Sequence, residues 1–172
     1  MQPHYEEEAM VNMMKARRRA GGRPEGDEGF TLTEVMVAIM IIGILAAVGI
    51  PTFLGARARA HDKAAQAPVL TALLSAETLN AQAGAFTAAT TTALQAGVTS
   101  PTYLDSTTAS TGPTLVSVYG HSSGFSAAVY SNSGTCYMLR QTPTGQTTYG
   151  TASGSGTCTG STAWTAATAA SW

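Results

Sequence analysis

Apolar and polar positions divide the chain into one long apolar stretch and a polar region on either side of it. Val35 to Leu54 form a run of twenty residues without a charge. A helix of about 20 residues spans the hydrocarbon core of a bilayer, which is ~30 Å thick. The preceding residues, 1–29, are polar and contain several Gly and Pro residues that break helices. The pattern predicts a membrane-spanning helix behind a polar leader or tail.

The apolar run continues into a second segment with helical character. Residues 55–84 are rich in Ala, Leu, Gln and Glu, which favour helices, and Leu70, Leu73 and Leu74 follow a helical spacing. Gly84 is a suitable end because glycine tolerates the left-handed conformation that closes helices. We therefore expect one helix over residues 30–83, with a membrane half at 30–54 and an amphipathic half at 55–84.

The C-terminal part of the chain, residues 85–172, predicts a globular head with a small sheet. Strand-forming runs at 115–121, 125–131 and 135–141, with a weaker fourth at 147–151, alternate with clusters of Ser, Asn, Gly and Pro. Residues 85–113 indicate an irregular connection, and residues 157–172 a tail of low complexity. The predicted fold class is α+β, a long N-terminal helix with an antiparallel β-meander of three to four strands laid on it.

Charge is concentrated in the first 63 residues of the chain. Eight of the nine Lys and Arg residues and eight of the ten acidic residues lie at or before Lys63. Nucleic-acid binding needs clustered cations, so we do not expect it of the C-terminal part. Five cationic residues precede the apolar run and three follow it, which favours an orientation with the N-terminus inside and the C-terminus outside the cell.

Two cysteines, Cys136 and Cys158, fall in the charge-poor C-terminal part. In an extracytoplasmic domain such a pair typically forms a disulfide, whereas in the cytoplasm the two would be unrelated reduced thiols. His4, His61 and His121 are far apart in the sequence, so no metal site and no cofactor are predicted. Neither a Ser/His/Asp constellation nor a phosphate-binding glycine loop is recognisable, and no enzyme is expected.

A six-residue string, Gly29-Phe30-Thr31-Leu32-Thr33-Glu34, stands directly before the apolar run. It resembles the processing signature of type IV prepilins, in which Gly precedes Phe and Glu stands five positions after the Gly. The resemblance is close over residues 29–65 and otherwise concerns the general plan. It implies the pilin fold, removal of residues 1–29 by prepilin peptidase after Gly29, and methylation of the new amine of Phe30. It also implies that this cation pairs with Glu34 of a neighbouring subunit in a filament.

The same resemblance assigns a role to Gly43, Gly49 and Pro51. Glycine lowers helix stability by about 1 kcal/mol relative to Ala, and proline cannot donate a backbone hydrogen bond. The resemblance implies that this segment loosens on filament assembly, and an ordinary kinked membrane helix is the alternative. The leader departs from the family pattern, because Asp27 and Glu28 stand where Lys or Arg is usual.

The resemblance also implies three protein partners, which are other copies of the chain, the prepilin peptidase and an inner-membrane pilus assembly platform. The precursor is then a single-pass membrane protein and the processed chain a subunit of a cell-surface pilus, with motility, adhesion and DNA uptake all open. A loop closed by Cys136 and Cys158 could be a structural staple or part of a packing or adhesive surface. The competing interpretations are a pseudopilin of a type II secretion or DNA-uptake system, a membrane-tethered binding protein that does not polymerise, and a secreted enzyme.

Overall fold

The computed structural model describes residues 29–172. The predicted leader therefore lies outside the described residues, except for Gly29. The chain divides into two compact units that separate between Val48 and Gly49. One helix, α1 (Leu32–Ala83), contributes residues to both units.

In the first unit, the described residues are almost entirely open to solvent. Every residue from Gly29 to Val48 is exposed except Ala46, which is half-buried. By its length and apolar composition α1 could cross a membrane, and no other described helix exceeds seven residues. The described part of the first unit, residues 29–48, thus presents mostly apolar helix surface to solvent.

In the second unit, the later turns of α1 pack on a sheet through one face. The buried positions recur at helical spacing and are mostly small, namely Ala65, Val69, Ala72, Leu73 and Ala76. The predicted apolar stripe was therefore partly wrong, since Leu70 is 39% and Leu74 63% exposed. Alanines replace leucines on the packed face because a small side chain lets the helix approach the sheet. The helix ends at Gly84, whose φ is +75°, as predicted.

The sheet has five strands in the order in which they occur along the chain. Strands β2 to β5 form an antiparallel meander, and β1 runs parallel to β2 at one edge. The strands are β1 (Thr102–Leu104), β2 (Leu115–His121), β3 (Gly124–Tyr130), β4 (Thr135–Gln141) and β5 (Thr147–Ser153). The predicted α+β class is confirmed, with one short parallel strand added to the meander.

Alternate residues of the sheet face α1 and form the main core. The strand contributions to this core, all buried, are Tyr103, Val116, Val118, Phe125, Ala127, Val129, Tyr137 and Leu139. The pattern follows from the period of two along a strand, which sends successive side chains to opposite faces.

A C-terminal helix covers the other face of the sheet. This helix, α3 (Gly160–Ala166), lies in the segment that was expected to be a tail of low complexity. It comes so close that a Cβ on Gly160 would lie 2.7 Å from the carbonyl carbon of Val118. The hydroxyl of Ser126 donates to the carbonyl of Gly160 at 2.7 Å. Small residues rather than an apolar stripe therefore dock α3, which is why periodicity did not reveal it.

The connection between α1 and β2 also contains structure that was not predicted. It holds a 3₁₀ turn (Phe86–Ala88), a short helix α2 (Thr91–Gln95) and β1. The Gln95 side-chain amide donates to the carbonyls of Val98 and Pro101 at 2.8 and 3.2 Å and accepts from the Tyr103 amide at 3.0 Å. The Gln95 side chain thus bonds the outward-facing backbone amide of Tyr103 on β1.

Candidate functional site

The string from Gly29 to Glu34 forms the start of α1. Gly29, Phe30 and Thr31 lie outside the helix and are exposed, with Phe30 81% exposed. Thr31 caps the helix, because its hydroxyl accepts a hydrogen bond from the Glu34 amide at 3.2 Å. The peptide bond between Gly29 and Phe30, where cleavage is predicted, therefore joins two exposed residues outside the helix.

Glu34 stands in the first turn of α1 and is exposed. A carboxylate at this position interacts favourably with the positive end of the helix dipole. Its side chain makes no ion pair or hydrogen bond with any of residues 29–172. The helix dipole alone could explain an acidic residue here in water, but an apolar environment would require a cation as partner.

The helix that follows Glu34 carries no charge until Arg57. Its large side chains are exposed on every side, from Val35 at 47% to Val48 at 68% in the first unit. A helix that is apolar all round is stable only when a membrane or other apolar surfaces surround it. This segment is thus built for a lipid bilayer or for the interior of an assembly.

Gly43, Gly49 and Pro51 all lie within α1, and the helix is continuous through them. Pro51 cannot donate to the carbonyl of Ala47, so one helical hydrogen bond is missing by chemistry. The hydroxyl of Thr52 donates to the carbonyl of Gly49 at 2.9 Å. A side chain therefore contributes to the bonding of this weakened turn, and its loosening on assembly stays a prediction.

Cys136 and Cys158 form a disulfide in the second unit, with a Cα–Cα distance of 5.5 Å. Cys136 lies on β4 and Cys158 just before α3, and both are fully buried. They belong to a second small core beneath α3 together with Ala128, Met138 and Ala163. The bridge thereby attaches the C-terminal segment to the face of the sheet that α1 does not cover.

Two polar contacts that sequence inspection missed connect α1 to the sheet. Asp62 accepts hydrogen bonds from the hydroxyls of Ser131 and Ser133 in the turn between β3 and β4, and the bond from Ser131 is 2.9 Å. Partial burial raises the pKa of Asp62, but these hydrogen bonds outweigh it and hold the pKa below its usual value. Near the end of β4, Gln141 donates to Glu77 at 2.6 Å. No sequence signal marks these pairs, because their members are more than sixty positions apart.

Among residues 29–172 no three His, Cys, Asp or Glu side chains come together in a way that could hold a metal ion.

Comparison with known proteins identifies the N-terminal segment. A family model described as the prokaryotic N-terminal methylation motif matches residues 26–50. No curated protein and no solved structure matches the chain. The matched range contains Gly29, Phe30, Glu34, Gly43 and Gly49, whereas the head lies outside it. The chain thus carries the processing signal of a prepilin-type protein, with an apolar helix suited to a membrane-anchored precursor, and this motif points to a structural role.

Proposed function

We propose that this prepilin-type protein is the structural subunit of a type IV pilus. Prepilin peptidase removes the leader after Gly29 and methylates the exposed amine of Phe30. The processed chain then polymerises through the apolar part of α1. The observation that supports this proposal most directly is the methylation motif, which runs without interruption into an exposed, uncharged helix.

Glu34 sets the register of the polymer in this proposal. Placing a carboxylate in the middle of an apolar layer costs on the order of 3 kcal/mol on insertion scales. The amine of Phe30 exists only after cleavage and stays positively charged when methylated. In a staggered bundle of helices it can reach Glu34 of a neighbouring copy and remove this cost. Cleavage and assembly are thereby coupled, because the uncleaved chain has no cation at this place.

The weakened turns of α1 adapt the same helix to two environments. In a bilayer, Gly43, Gly49 and Pro51 lie in a continuous helix whose missing hydrogen bond is tolerated. When subunits pack into a filament, these turns extend and let the later part of α1 shift along the axis. Before assembly the precursor spans the inner membrane with its head outside. The inner-membrane platform then takes it from the membrane into the growing pilus.

Replacement of Glu34 tests the proposal directly. A strain whose only copy of the gene carries Glu34→Ala should cleave the leader and insert the protein into the membrane. The yield of sheared surface filaments should fall at least tenfold, because each unpaired amine now faces an apolar layer; a tenfold change corresponds to about 1.4 kcal/mol per contact. Thr33→Ala is the matched control, since Thr33 is exposed and its side chain makes no hydrogen bond among the described residues.

The measurements are immunoblots of membrane and sheared fractions and mass spectrometry of the mature N-terminus. Normal filament yield from Glu34→Ala would refute the register role. A wild-type chain that keeps residues 1–29 and never enters sheared material would identify a membrane-tethered protein. Correct processing without long surface fibres would favour a pseudopilin over a pilus subunit.

A further inference from the structure

The head contains very few charged residues. Beyond Lys63 the chain contains only Glu77, Asp105 and Arg140 as charged residues. Glu77 is hydrogen-bonded to Gln141 within the subunit. Asp105 and Arg140 have opposite charges, and neither has an ionic partner among residues 29–172.

Asp105 follows β1 and presents a fixed carboxylate at the surface. Its Oδ1 accepts from the amides of Thr107 and Thr108, both at 2.9 Å, and from the Thr107 hydroxyl at 2.7 Å. Its Oδ2 accepts only from the Thr108 hydroxyl, at 2.7 Å, and has room for a second donor. Hydrogen bonds to the carboxylate hold the pKa of Asp105 far below its usual value. The bond from the Thr108 hydroxyl has the largest effect, and the other three donors add to it. The turn therefore keeps the side chain ionised and in one orientation.

Arg140 lies on β4 and is held against an aromatic surface. Its guanidinium carbon lies 4.2 Å from the centre of the Trp164 ring, and Nη1 donates to the Trp164 carbonyl at 3.2 Å. Nη2 makes no hydrogen bond within residues 29–172 and is not buried. Tyr119 and His121 contact the same indole ring, with centroid distances of 6.5 and 5.7 Å. The group is a preformed cationic surface without a carboxylate.

The two charges are attached at different positions along α3, on the face of the sheet that α1 does not cover. The backbone carbonyl of Asp105 accepts from the Ser117 hydroxyl at 2.8 Å, and the same hydroxyl oxygen accepts from the Gly160 amide at 2.8 Å. Asp105 is thus attached beside the start of α3, whereas Arg140 is attached at Trp164, in the last turns. Two different patches of opposite charge on one subunit suit a head-to-tail contact, which continues into a filament when its rotation does not close.

We propose that the Arg140 patch of one copy (His121, Arg140 and Trp164) binds the Asp105 turn (residues 105–108) of the next copy along the filament. The proposal rests on the proposed function, because it needs a polymer of this chain. The free Nη2 of Arg140 donates to the available lone pairs of Asp105 Oδ2. The contact joins two different surfaces of neighbouring globular heads and is separate from the pairing of Phe30 with Glu34.

Charge reversal in two subunits at once tests the contact. Asp105→Arg alone places two cations at each junction, and Arg140→Glu alone places two anions there, so each should reduce sheared filaments at least tenfold. Co-expression of the two variants should restore the yield, because unlike charges face each other at every junction of an alternating polymer. Gln146→Glu is the control for added charge, since Gln146 is exposed in the turn between β4 and β5 and its side chain makes no hydrogen bond among the described residues.

A conservative variant covers the case in which charge reversal unfolds the head. Arg140→Lys keeps the positive charge and introduces the only lysine beyond Lys63. A zero-length carbodiimide reagent applied to intact filaments should then join this amine to Asp105 of another subunit. Mass spectrometry should find the linked peptides, and Asp105→Asn in the same background should abolish them.

The outcomes separate this contact from the pilus assignment. Arg140→Lys filaments without the cross-link, or single reversals that assemble normally, would overturn the contact alone. Failure of the co-expressed pair to recover, with both variants folded as membrane precursors, would likewise overturn it. A wild-type chain that forms no surface polymer would overturn the proposed function and the contact together.

Discussion

Removing the disulfide is the perturbation whose size can be worked out most directly from the structure. The double variant Cys136→Ala/Cys158→Ala deletes the covalent link between β4 and the segment that leads to α3. The two cysteines are 22 positions apart, and in the chain-entropy model a loop of this length contributes about 3 kcal/mol. Typical domains have a free energy of unfolding of about 5–15 kcal/mol, so the variant should fold but lose a large share of its stability.

Without the disulfide, α3 depends on a few hydrogen bonds and a small core. The hydroxyl of Thr148 donates to the Ala167 carbonyl at 2.7 Å, and the indole of Trp172 donates to the Met138 carbonyl at 2.9 Å. Each such bond contributes about 1 kcal/mol net. We therefore expect the loss to affect the C-terminal cover of the sheet first.

The assay is urea unfolding of the full chain in detergent micelles, followed by tryptophan fluorescence. Both tryptophans, Trp164 and Trp172, follow Cys158, so the signal reports on the fastened segment. With a slope of about 1–3 kcal/mol/M, a loss of about 3 kcal/mol lowers the midpoint by about 1–3 M. Thr157→Ala, at an exposed position beside Cys158, should change stability by less than about 0.5 kcal/mol. A double variant as stable as this control would refute the reasoning.

Two further predictions concern the packing of the head. Gly160→Ala should lower the free energy of unfolding by about 1–3 kcal/mol, because the added methyl group forces α3 away from Val118. Gly156→Ala has open space around it and should be nearly neutral. Urea unfolding midpoints of the two variants test this, and equal midpoints would contradict it. Because the pKa of Asp62 is lowered in the folded chain, its carboxylate contributes stability above about pH 4, and this is lost as the pH falls through the folded value. Asp62→Asn should therefore lose less stability than wild type between about pH 6 and pH 3 in thermal unfolding, and an unchanged pH profile would contradict the assignment.

The long elements were predictable because their periodicity extends over enough residues. The end of α1 at Ala83 followed from Gly84, and β2 and β4 begin and end where the alternation predicted. Strand β3 is shifted by one residue, and β5 extends to Ser153, two residues beyond its expected end. The processing string was readable because all of its residues are adjacent in the chain.

The remaining elements depend on contacts that are distant in sequence. A five-residue helix such as α2 and a three-residue strand such as β1 are too short for a period, and the Gln95 side chain holds them together. Helix α3 contains mainly Ala, Thr, Gly and Ser, and only the surface of the sheet shows why small residues are needed there. The surroundings of Asp105 and Arg140 were unpredictable for the same reason, because threonines and a tryptophan elsewhere in the fold define them.

The amide of Gln95 has a consequence for how this sheet can associate. A free outer strand offers its backbone groups to any extended chain, and this is a common route to uncontrolled aggregation. Here the outward-facing backbone amide of Tyr103, to which an added strand would bond, already donates to the Gln95 side chain. Strand addition is therefore blocked at this margin, so the heads can be crowded together at high local concentration without fusing their sheets.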